Sequence, residues 1–146
     1  MNTDLRERAV RLLARRDHSR SELARKLAGN GEASIQLADT LDTLSAQGLL
    51  SDSRYALSRS QSRSKTLGNA RLAGELRAKG VDDELVNAAL ASIEDELSRA
   101  QRVWQRKYGV LPASAEEYAR QARFLAARGF AAETIRQLLR GLQEND

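Results

Sequence analysis

Residue types that commonly build catalytic or metal sites are scarce in this chain of 146 residues. It contains no cysteine and a single histidine, His18, so a disulfide framework, a zinc site and a histidine-based catalytic triad are excluded. The sequence also lacks a P-loop, a Gly-x-Ser-x-Gly elbow and an EF-hand loop. An enzyme is therefore the weaker hypothesis.

Signals for a sheet or a membrane span are equally scarce. One proline, 4% aromatic residues and abundant Leu and Ala disfavour a sheet and favour thin helix-on-helix packing. No apolar run approaches membrane-spanning length, and the first residues lack the apolar core of a signal peptide. We therefore expect an all-α protein of the cytoplasm.

Two acidic clusters, at residues 82–84 and 94–96, offer carboxylates that suit Mg²⁺. They fall in the first turn of a predicted helix or on a solvated face, where carboxylates favour a structural role. No metal site is predicted.

The chain is organised around a glycine corner between two predicted helices. Leu72 and Leu76 stand one helical turn apart, Gly80 suits the left-handed conformation that ends a helix, and Val81 provides the apolar closing residue. The acidic residues 82–84 then suit the start of the next helix.

The same unit recurs at a constant spacing of 49 residues. The corner is held by Gly31, Gly80 and Gly129. The apolar positions that flank the corner are Leu23, Leu27, Leu37 and Leu41 in the first repeat and Leu72, Leu76, Val86 and Leu90 in the second. In the third repeat they are Leu125, Ile135 and Leu139. Gln121 stands in the third repeat where the other two have leucine. We predict three tandem three-helix repeats at residues 1–50, 51–95 and 96–146. The stretch from 82 to 108 contains neither Gly nor Pro, which leaves open whether it forms one helix or two.

Several single residues mark local structure. Ser19 and Ser114 each precede a glutamate by three residues, a spacing that predicts a capped helix start. His18, next to the first cap, is expected to be a plain surface residue or a staple residue. Trp104 lies on the apolar stripe of its helix and is expected in the core.

The net charge of +4 is distributed in order along the chain. Residues 51–81 carry seven basic and two acidic residues, whereas residues 82–98 carry six acidic and no basic ones. Stacked repeats would sort this alternation into a basic and an acidic ridge, which suits an elongated polyanion or a mixed-charge protein. Solvated helix faces are the alternative for any single charge.

The predicted helix over residues 51–65 is unusually polar. It offers only Tyr55, Ala56 and Leu57 for burial, while six serines alternate with basic residues. Such a helix either frays or is covered by a partner, and hydroxyls beside arginines suit phosphates or carboxylates. We favour a binding surface.

Some cations are expected to be committed within their own helices. The predicted i, i+4 ion pairs are Arg71 with Glu75 and Lys26 with Glu22. We therefore discount Arg71 and Lys26 as ligand contacts. Arg77 and Lys79 have no acid at that spacing and rank higher.

Four short stretches occur in a distinctive order. They are LLARRDHS at residues 12–19 with ELARKL at 22–27, GLLSD at 48–52 with Tyr55 and Ala56, then Gly68, Arg71, Leu72, Glu75, Leu76 and KGV at 79–81, and finally FLAARGF at 124–130. In this order and spacing they resemble the RecX family of regulators of the RecA recombinase. The resemblance covers nearly the whole chain.

The resemblance implies three tandem three-helix modules in an elongated, curved array, with no catalytic activity and no cofactor. It implies a partner, the RecA filament on single-stranded DNA, whose extension, ATPase, strand exchange and co-protease activity the protein restrains. Neither a membrane nor a small-molecule substrate is implied.

The candidate contacts are cations that anchor the protein electrostatically to acidic protein surface or to phosphate. The central ones are Arg59, Arg63, Lys65, Arg77 and Lys79, and the flanking ones are Arg8, Arg11, Arg15, Arg99, Arg102 and Arg106, which form two lines of i, i+3, i+7 spacing. No helix carries Asn, Gln and Arg at base-contact spacing, so sequence-specific DNA recognition is not expected. The alternatives are a non-specific DNA-binding helical-repeat module that acts independently of RecA, and a neutral helical scaffold.

Overall fold

The chain forms nine α-helices and no strand within residues 3–28 and 34–144, the ranges that the computed structural model describes. They are α1 (Thr3–Arg15), α2 (Arg20–Leu27), α3 (Ser34–Ala46), α4 (Asp52–Arg63), α5 (Asn69–Ala78), α6 (Asp83–Ala91), α7 (Glu96–Lys107), α8 (Ala115–Ala127) and α9 (Ala132–Glu144). The prediction of an all-α chain of tandem helical repeats is confirmed. None of these helices combines the length and the apolar character needed to cross a membrane.

Among the helices that begin at a side chain accepting a backbone hydrogen bond are α2, α7 and α8. The oxygens are Ser19 Oγ, bonded to Glu22 N at 3.1 Å, Asp95 Oδ2, bonded to Ser98 N at 3.0 Å, and Ser114 Oγ, bonded to Glu117 N at 3.1 Å. Such caps satisfy donors that a first helical turn leaves open. Both predicted serine caps are confirmed. Asp95 also answers the question left open for residues 82–108, because α6 ends at Ala91 and the cap starts a second helix.

Glycine corners end the helices where the sequence predicts them. Gly80 and Gly129 have φ angles of 80° and 91°, in the left-handed region that favours glycine. After Gly80, the backbone N–H of Val81 donates to Leu76 O at 3.1 Å, and the Val81 side chain is buried. The predicted corners of the second and third repeats are thus confirmed. Gly31, the predicted corner of the first repeat, lies outside the described residues.

The helices pack into two compact units, one of Met1–Arg59 with Leu76–Ala89 and one of Ser60–Glu75 with Leu90–Asp146. The core of the first unit includes Leu5, Ala9, Leu23, Leu27, Leu41, Leu44 and Leu50. The core of the second includes Ala100, Val103, Trp104, Leu125, Phe130, Ile135, Leu138 and Leu139. Most of the residues predicted to face inward are found there. The repeat boundaries at 50/51 and 95/96 stay a prediction.

In the first unit, the start of α2 docks against a corner that follows α5. The hydroxyl of Ser19 donates to the carbonyl oxygen of Lys79 at 2.6 Å. Gly80 approaches so closely that a Cβ atom there would collide with the side chain of Ser21. The corner therefore requires glycine for space as well as for its φ angle.

The second unit repeats this joint 49 residues later in the chain. The backbone N–H of Gly68 donates to Arg128 O at 2.7 Å, and that of Ala70 donates to Gly129 O at 3.1 Å. A Cβ atom at Gly68 would collide with the backbone of Gly129. Residues 68 and 128 are each 49 positions after residues 19 and 79, so the repeat in sequence is also a repeat in contact.

The polar helix α4 is ordered by burial of serine as well as of apolar residues. Ser60 and Ser64 are buried, and they follow the buried Ala56 at intervals of four residues. Burial in α4 therefore extends to serines beyond the three apolar residues that were expected to be buried. The segment to Arg63 is helical, so the frayed alternative is wrong for that part.

Gln121 stands where the other repeats have leucine, and its side chain is hydrogen-bonded to Trp104, the one tryptophan of the chain. Its Oε1 accepts a hydrogen bond from Trp104 Nε1 at 2.7 Å, and its Nε2 donates to Val110 O at 3.1 Å. The Trp104 side chain is buried, as predicted. A leucine at 121 would leave the indole N–H without this acceptor.

Replacing Gly68 with alanine tests the joint of the second unit. Gly68→Ala is expected to lower the free energy of unfolding by about 1–3 kcal/mol, because the methyl group meets backbone that cannot move aside as a side chain can. The measurement is urea denaturation followed by circular dichroism.

Gly74→Ala is the matched control. Gly74 lies within α5, and a Cβ atom there meets no other heavy atom within 4 Å. Alanine should stabilise that helix by about 0.5–1 kcal/mol. Equal effects of the two substitutions would contradict the tight joint.

Candidate functional site

A cleft of about 310 Å³ in the first unit is lined by the three arginines of the first predicted line. Its lining residues are Arg8, Arg11 and Arg15 of α1, Lys26 of α2 and the apolar Leu12. The helical spacing of 3 and 4 residues places the arginines on one side of α1. We call this cleft the α1–α2 cleft. Four of its five lining side chains are cations and none is an acid, so it attracts anions.

A second cleft, of about 530 Å³, lies in the second unit. Its lining residues are Gln61, Ser64, Lys65, Thr66, Glu94, Arg99, Arg102 and Arg106. We call it the α4–α7 cleft. It brings Lys65, one of the central candidates, together with Arg102 and Arg106, which are flanking candidates. Arg102 pairs with the carboxylate of Glu94, so this cleft presents charges of both signs.

Arg99, predicted to contact a partner, has hydrogen-bond partners within its own unit. Its side chain is buried, and its guanidinium donates to Leu67 O at 2.7 Å, to Glu94 O at 2.8 Å and to Asn69 Oδ1. Burial lowers the pKa of Arg99, yet a guanidinium stays protonated. Arg99 therefore ties the segment before α5 to α7.

Among the described residues that line the two clefts, the other four central candidates do not occur. Arg59 is exposed. Arg63 donates two hydrogen bonds to Glu75, at 3.1 and 2.8 Å, while Arg77 donates to Asp83 at 2.8 Å and Lys79 Nζ lies 3.8 Å from Glu22 Oε2. Of the five central candidates, the structure thus brings only Lys65 into a cleft.

The carboxylates of the two predicted i, i+4 ion pairs are bound by guanidinium groups from other segments. Glu75 accepts from Arg63 of α4, and Arg71 donates to Ala127 O at 2.9 Å. Glu22 is bound by Arg16, at 3.1 and 2.6 Å, instead of Lys26. In both cases a guanidinium from another segment reaches the carboxylate with two donors, which a single i, i+4 contact does not offer.

Of the two expectations for His18, a surface residue or a staple residue, the first is wrong, because the side chain is buried. Its Nδ1 lies 3.1 Å from Arg16 O, and its Nε2 lies 2.9 Å from Lys26 Nζ. A proton on Nδ1 satisfies the carbonyl and leaves Nε2 to accept from the ammonium group. Burial lowers the pKa of His18, so the ring is neutral at pH 7.

Sequence reasoning missed several residues that line cavities. Lys26 was discounted through its supposed pair with Glu22, yet it lines the α1–α2 cleft. Arg128 and Lys107 flank Phe124 in a smaller cavity of about 190 Å³, with the Arg128 guanidinium 5.1 Å from the ring centroid. The signal for Arg128 was present, since it lies 49 residues after Lys79.

The acidic cluster at residues 94–96 has structural partners. Asp95 caps α7, and Glu96 accepts hydrogen bonds from Asn69 N at 2.7 Å and Thr134 Oγ1 at 2.5 Å. Among the described residues, no group of three His, Asp or Glu side chains is placed to hold a metal ion.

The fold and the clefts define an all-α protein of tandem three-helix modules with exposed cations in surface clefts. Family models agree with this description: the first, second and third three-helix domains of RecX match residues 6–42, 51–90 and 94–139.

Individual relatives match over nearly the whole chain. The regulatory protein RecX of Chromobacterium violaceum is 44% identical over 142 residues, which cover 97% of this chain and 93% of that protein. The regulatory protein RecX of Herminiimonas arsenicoxydans is 39% identical over 147 residues, covering 100% and 97%. The crystal structure of RecX from Lactobacillus salivarius has the same fold, with a TM-score of 0.85 at 19% identity and coverage of 97% of this chain and 96% of that one. The chain belongs to the RecX family of regulatory proteins.

Arg99 and Arg106 lie on one helix but are expected to differ in their effect on stability. Arg99→Gln should lower the free energy of unfolding by about 2 kcal/mol or more, because it leaves buried carbonyl oxygens without a donor. Arg106→Gln, at an exposed position, should change it by less than about 0.5 kcal/mol. Urea denaturation of both variants measures the difference, and similar midpoints would show that Arg99 has no structural role.

The stability of the first unit should depend on pH through Glu22. The hydrogen bonds from Arg16 lower the pKa of Glu22 to about 2. Because the folded protein holds this carboxylate ionised more strongly than the unfolded chain does, the contribution is complete above the ordinary pKa of about 4.5 and is lost as the pH falls towards 2. Glu22→Gln should therefore lower the free energy of unfolding at pH 7 by roughly 2–3 kcal/mol.

Thermal unfolding between pH 2.5 and 7 measures this dependence. The variant should lose less stability than the wild type as the pH falls through this window. Glu7→Gln, at an exposed position of α1, is the control and should follow the wild-type profile. Parallel profiles for Glu22→Gln and the wild type would contradict the assignment.

Proposed function

We propose that this chain regulates the RecA recombinase in the cytoplasm by binding the RecA filament on single-stranded DNA and restraining its extension, ATPase, strand exchange and co-protease activity. The observation that carries the proposal is the ordered match of all three RecX domain models along the chain. Neither a membrane nor a small-molecule substrate takes part. The protein acts by occupying a site and not by catalysis.

The two clefts supply the chemistry for this role. A nucleoprotein filament presents phosphates together with acidic and basic protein side chains, so a binding protein needs cations and some acids. The α1–α2 cleft has cations alone, while the α4–α7 cleft combines Lys65 and Arg106 with the Arg102–Glu94 pair. Mixed charge of this kind suits a protein surface.

The candidate cations differ in how readily they can bind. Lys65 and Arg106 line a cleft, and Arg59 is exposed, so these three bind without breaking an ion pair among the described residues. Arg63, Arg77 and Lys79 already lie beside carboxylates of the chain. Each of them therefore contributes to binding while its charge is shared between that carboxylate and the filament. Arg99 no longer belongs to the proposed contacts.

The direct test is a titration into RecA filaments assembled on single-stranded DNA, with ATP hydrolysis as the readout. Inhibition is expected at protein concentrations well below those that retard bare single-stranded DNA. Equal concentrations for the two effects would favour the alternative, a non-specific DNA-binding module that acts independently of RecA.

A double substitution in the α4–α7 cleft tests where the filament binds. Lys65→Gln with Arg106→Gln should raise the half-inhibitory concentration about tenfold, because two exposed charge contacts are worth about 1.4 kcal/mol together. The control is Arg25→Gln with Arg123→Gln, which removes the same charge from exposed positions of α2 and α8 outside both clefts. Equal inhibition by the two double variants would exclude the α4–α7 cleft as a contact.

A further inference from the structure

A cavity of about 190 Å³ in the second unit is built around the ring of Phe124. We call it the Phe124 cavity, and its lining residues are Thr66, Val103, Arg106, Lys107, Phe124 and Arg128. Val103 is buried, and Phe124 is half-buried against the core of the second unit, so both give the cavity apolar walls. The described lining thus combines three cations with apolar surface.

Two of these cations are positioned by the aromatic ring. Lys107 Nζ lies 5.5 Å from the centroid of the Phe124 ring, and Arg128 Cζ lies 5.1 Å from it. Both distances fall within the roughly 6 Å at which the electron-rich face of a ring attracts a cation. Because the ring has no net charge, it orients the two cations and leaves their charge available to an anion.

The ring and the backbone of Arg128 are themselves held in place. Tyr108 contacts Phe124 edge to face, with ring centroids 5.6 Å apart and an interplanar angle of 89°. The carbonyl oxygen of Arg128 accepts a hydrogen bond from Gly68 N at 2.7 Å, at the joint of the second unit. A site whose groups are ordered before binding loses less conformational entropy when its ligand binds.

The preceding repeat has a carboxylate at the position of the ring. Residue 75 stands 49 positions before residue 124, and it is Glu75, which accepts two hydrogen bonds from Arg63. A carboxylate at this position therefore takes up a cation of the chain itself. Phe124 holds cations without neutralising them, so the third repeat presents charge here that a carboxylate from outside the chain can meet.

The size of the cavity and the placement of its cations narrow the class of ligand. Small-molecule sites usually have volumes of about 300–1,000 Å³, so a cavity of about 190 Å³ suits one or two side chains better than a whole nucleotide. Stacking of a base on the Phe124 ring would also compete with the two cations that lie over it. Both features favour a ligand that is a protein segment.

We propose that the Phe124 cavity binds a segment of a partner protein in which an acidic residue stands next to an aliphatic one. The carboxylate accepts hydrogen bonds from Lys107 and from Arg128, whose planar guanidinium offers two parallel donors. The aliphatic side chain packs on Val103 and on the Phe124 ring, where it is removed from water. A phosphodiester chain offers the negative charge but no aliphatic side chain.

The experiment measures the binding of two fluorescein-labelled hexapeptides by anisotropy, without RecA. One peptide alternates aspartate with leucine, and the other alternates aspartate with serine at the same net charge. The aspartate–leucine peptide is expected to bind with a dissociation constant of roughly 1 mM or lower. The aspartate–serine peptide should bind about tenfold more weakly, because it has no aliphatic side chain to bury.

Substitutions in the cavity locate the binding. Lys107→Gln with Arg128→Gln should weaken binding of the aspartate–leucine peptide about tenfold. Phe124→Leu keeps the net charge and an apolar wall but removes the ring that positions the cations, and it should weaken binding about threefold. The control, Arg25→Gln with Arg123→Gln, removes the same charge from exposed positions outside the cavity and should bind as the wild type does. Circular dichroism checks that each variant is folded.

Several outcomes would overturn the proposal. Equal losses in the double cavity variant and in the control would show that binding follows net charge alone. Equal affinities of the two peptides would show that the apolar walls play no part, and a lack of binding in the millimolar range would show that the cavity is not a site for this ligand. Competition by oligothymidylate as effective as that by unlabelled aspartate–leucine peptide would identify DNA as the ligand.

The proposed function and the ligand of the Phe124 cavity fail separately. If the wild type binds the aspartate–leucine peptide as expected but does not inhibit the RecA ATPase, the proposed function is wrong and the assignment of the cavity stands. If the wild type inhibits the ATPase but binds neither peptide, the assignment of the cavity is wrong and the proposed function stands.

Discussion

Contact between a glycine corner and the helix start 60 residues before it holds each compact unit together. Ser19 meets Lys79 in the first unit, and Gly68 meets Arg128 in the second, through hydrogen bonds of 2.6 and 2.7 Å. Both corners, Gly80 and Gly129, leave no space for a Cβ atom, and Gly68 at the docking site of the second unit leaves none either. A change in the length of a repeat would separate these partners, so the constant spacing in the sequence follows from a steric requirement at the joint.

The arginines of this chain divide into those that hold the fold and those that face outward. Arg99 donates hydrogen bonds to backbone carbonyl oxygens in the second unit, and Arg16 donates to the buried Glu22 in the first. Arg11 and Arg15 have the same residue type and the same helical setting but remain exposed. The difference lies in the surroundings, because a guanidinium near several carbonyl oxygens or a buried carboxylate finds acceptors within the fold, whether it is buried like Arg99 or exposed like Arg16.

Most of the fold could be predicted from the sequence because local rules determine it. Left-handed glycines, serine caps and leucines at helical spacing act within a few residues, and the structure confirms them at Gly80, Gly129, Ser19 and Ser114. The site could be predicted only in part. The partners of Glu22 and Glu75, and the burial of His18 and Arg99, depend on groups that the fold brings in from other segments. The elongated, curved arrangement of the repeats stays a prediction.

The hydrogen bond from Trp104 to Gln121 has an optical consequence. Trp104 is the single tryptophan of the chain, and it is enclosed in the core of the second unit. Its emission reports on water reaching that core and is insensitive to melting of the leucine core around Leu23 and Leu44, which contains no indole. Far-ultraviolet dichroism records the helices of both units together. Disagreement between the two spectroscopic signals would reveal that the protein loses its structure in more than one cooperative step.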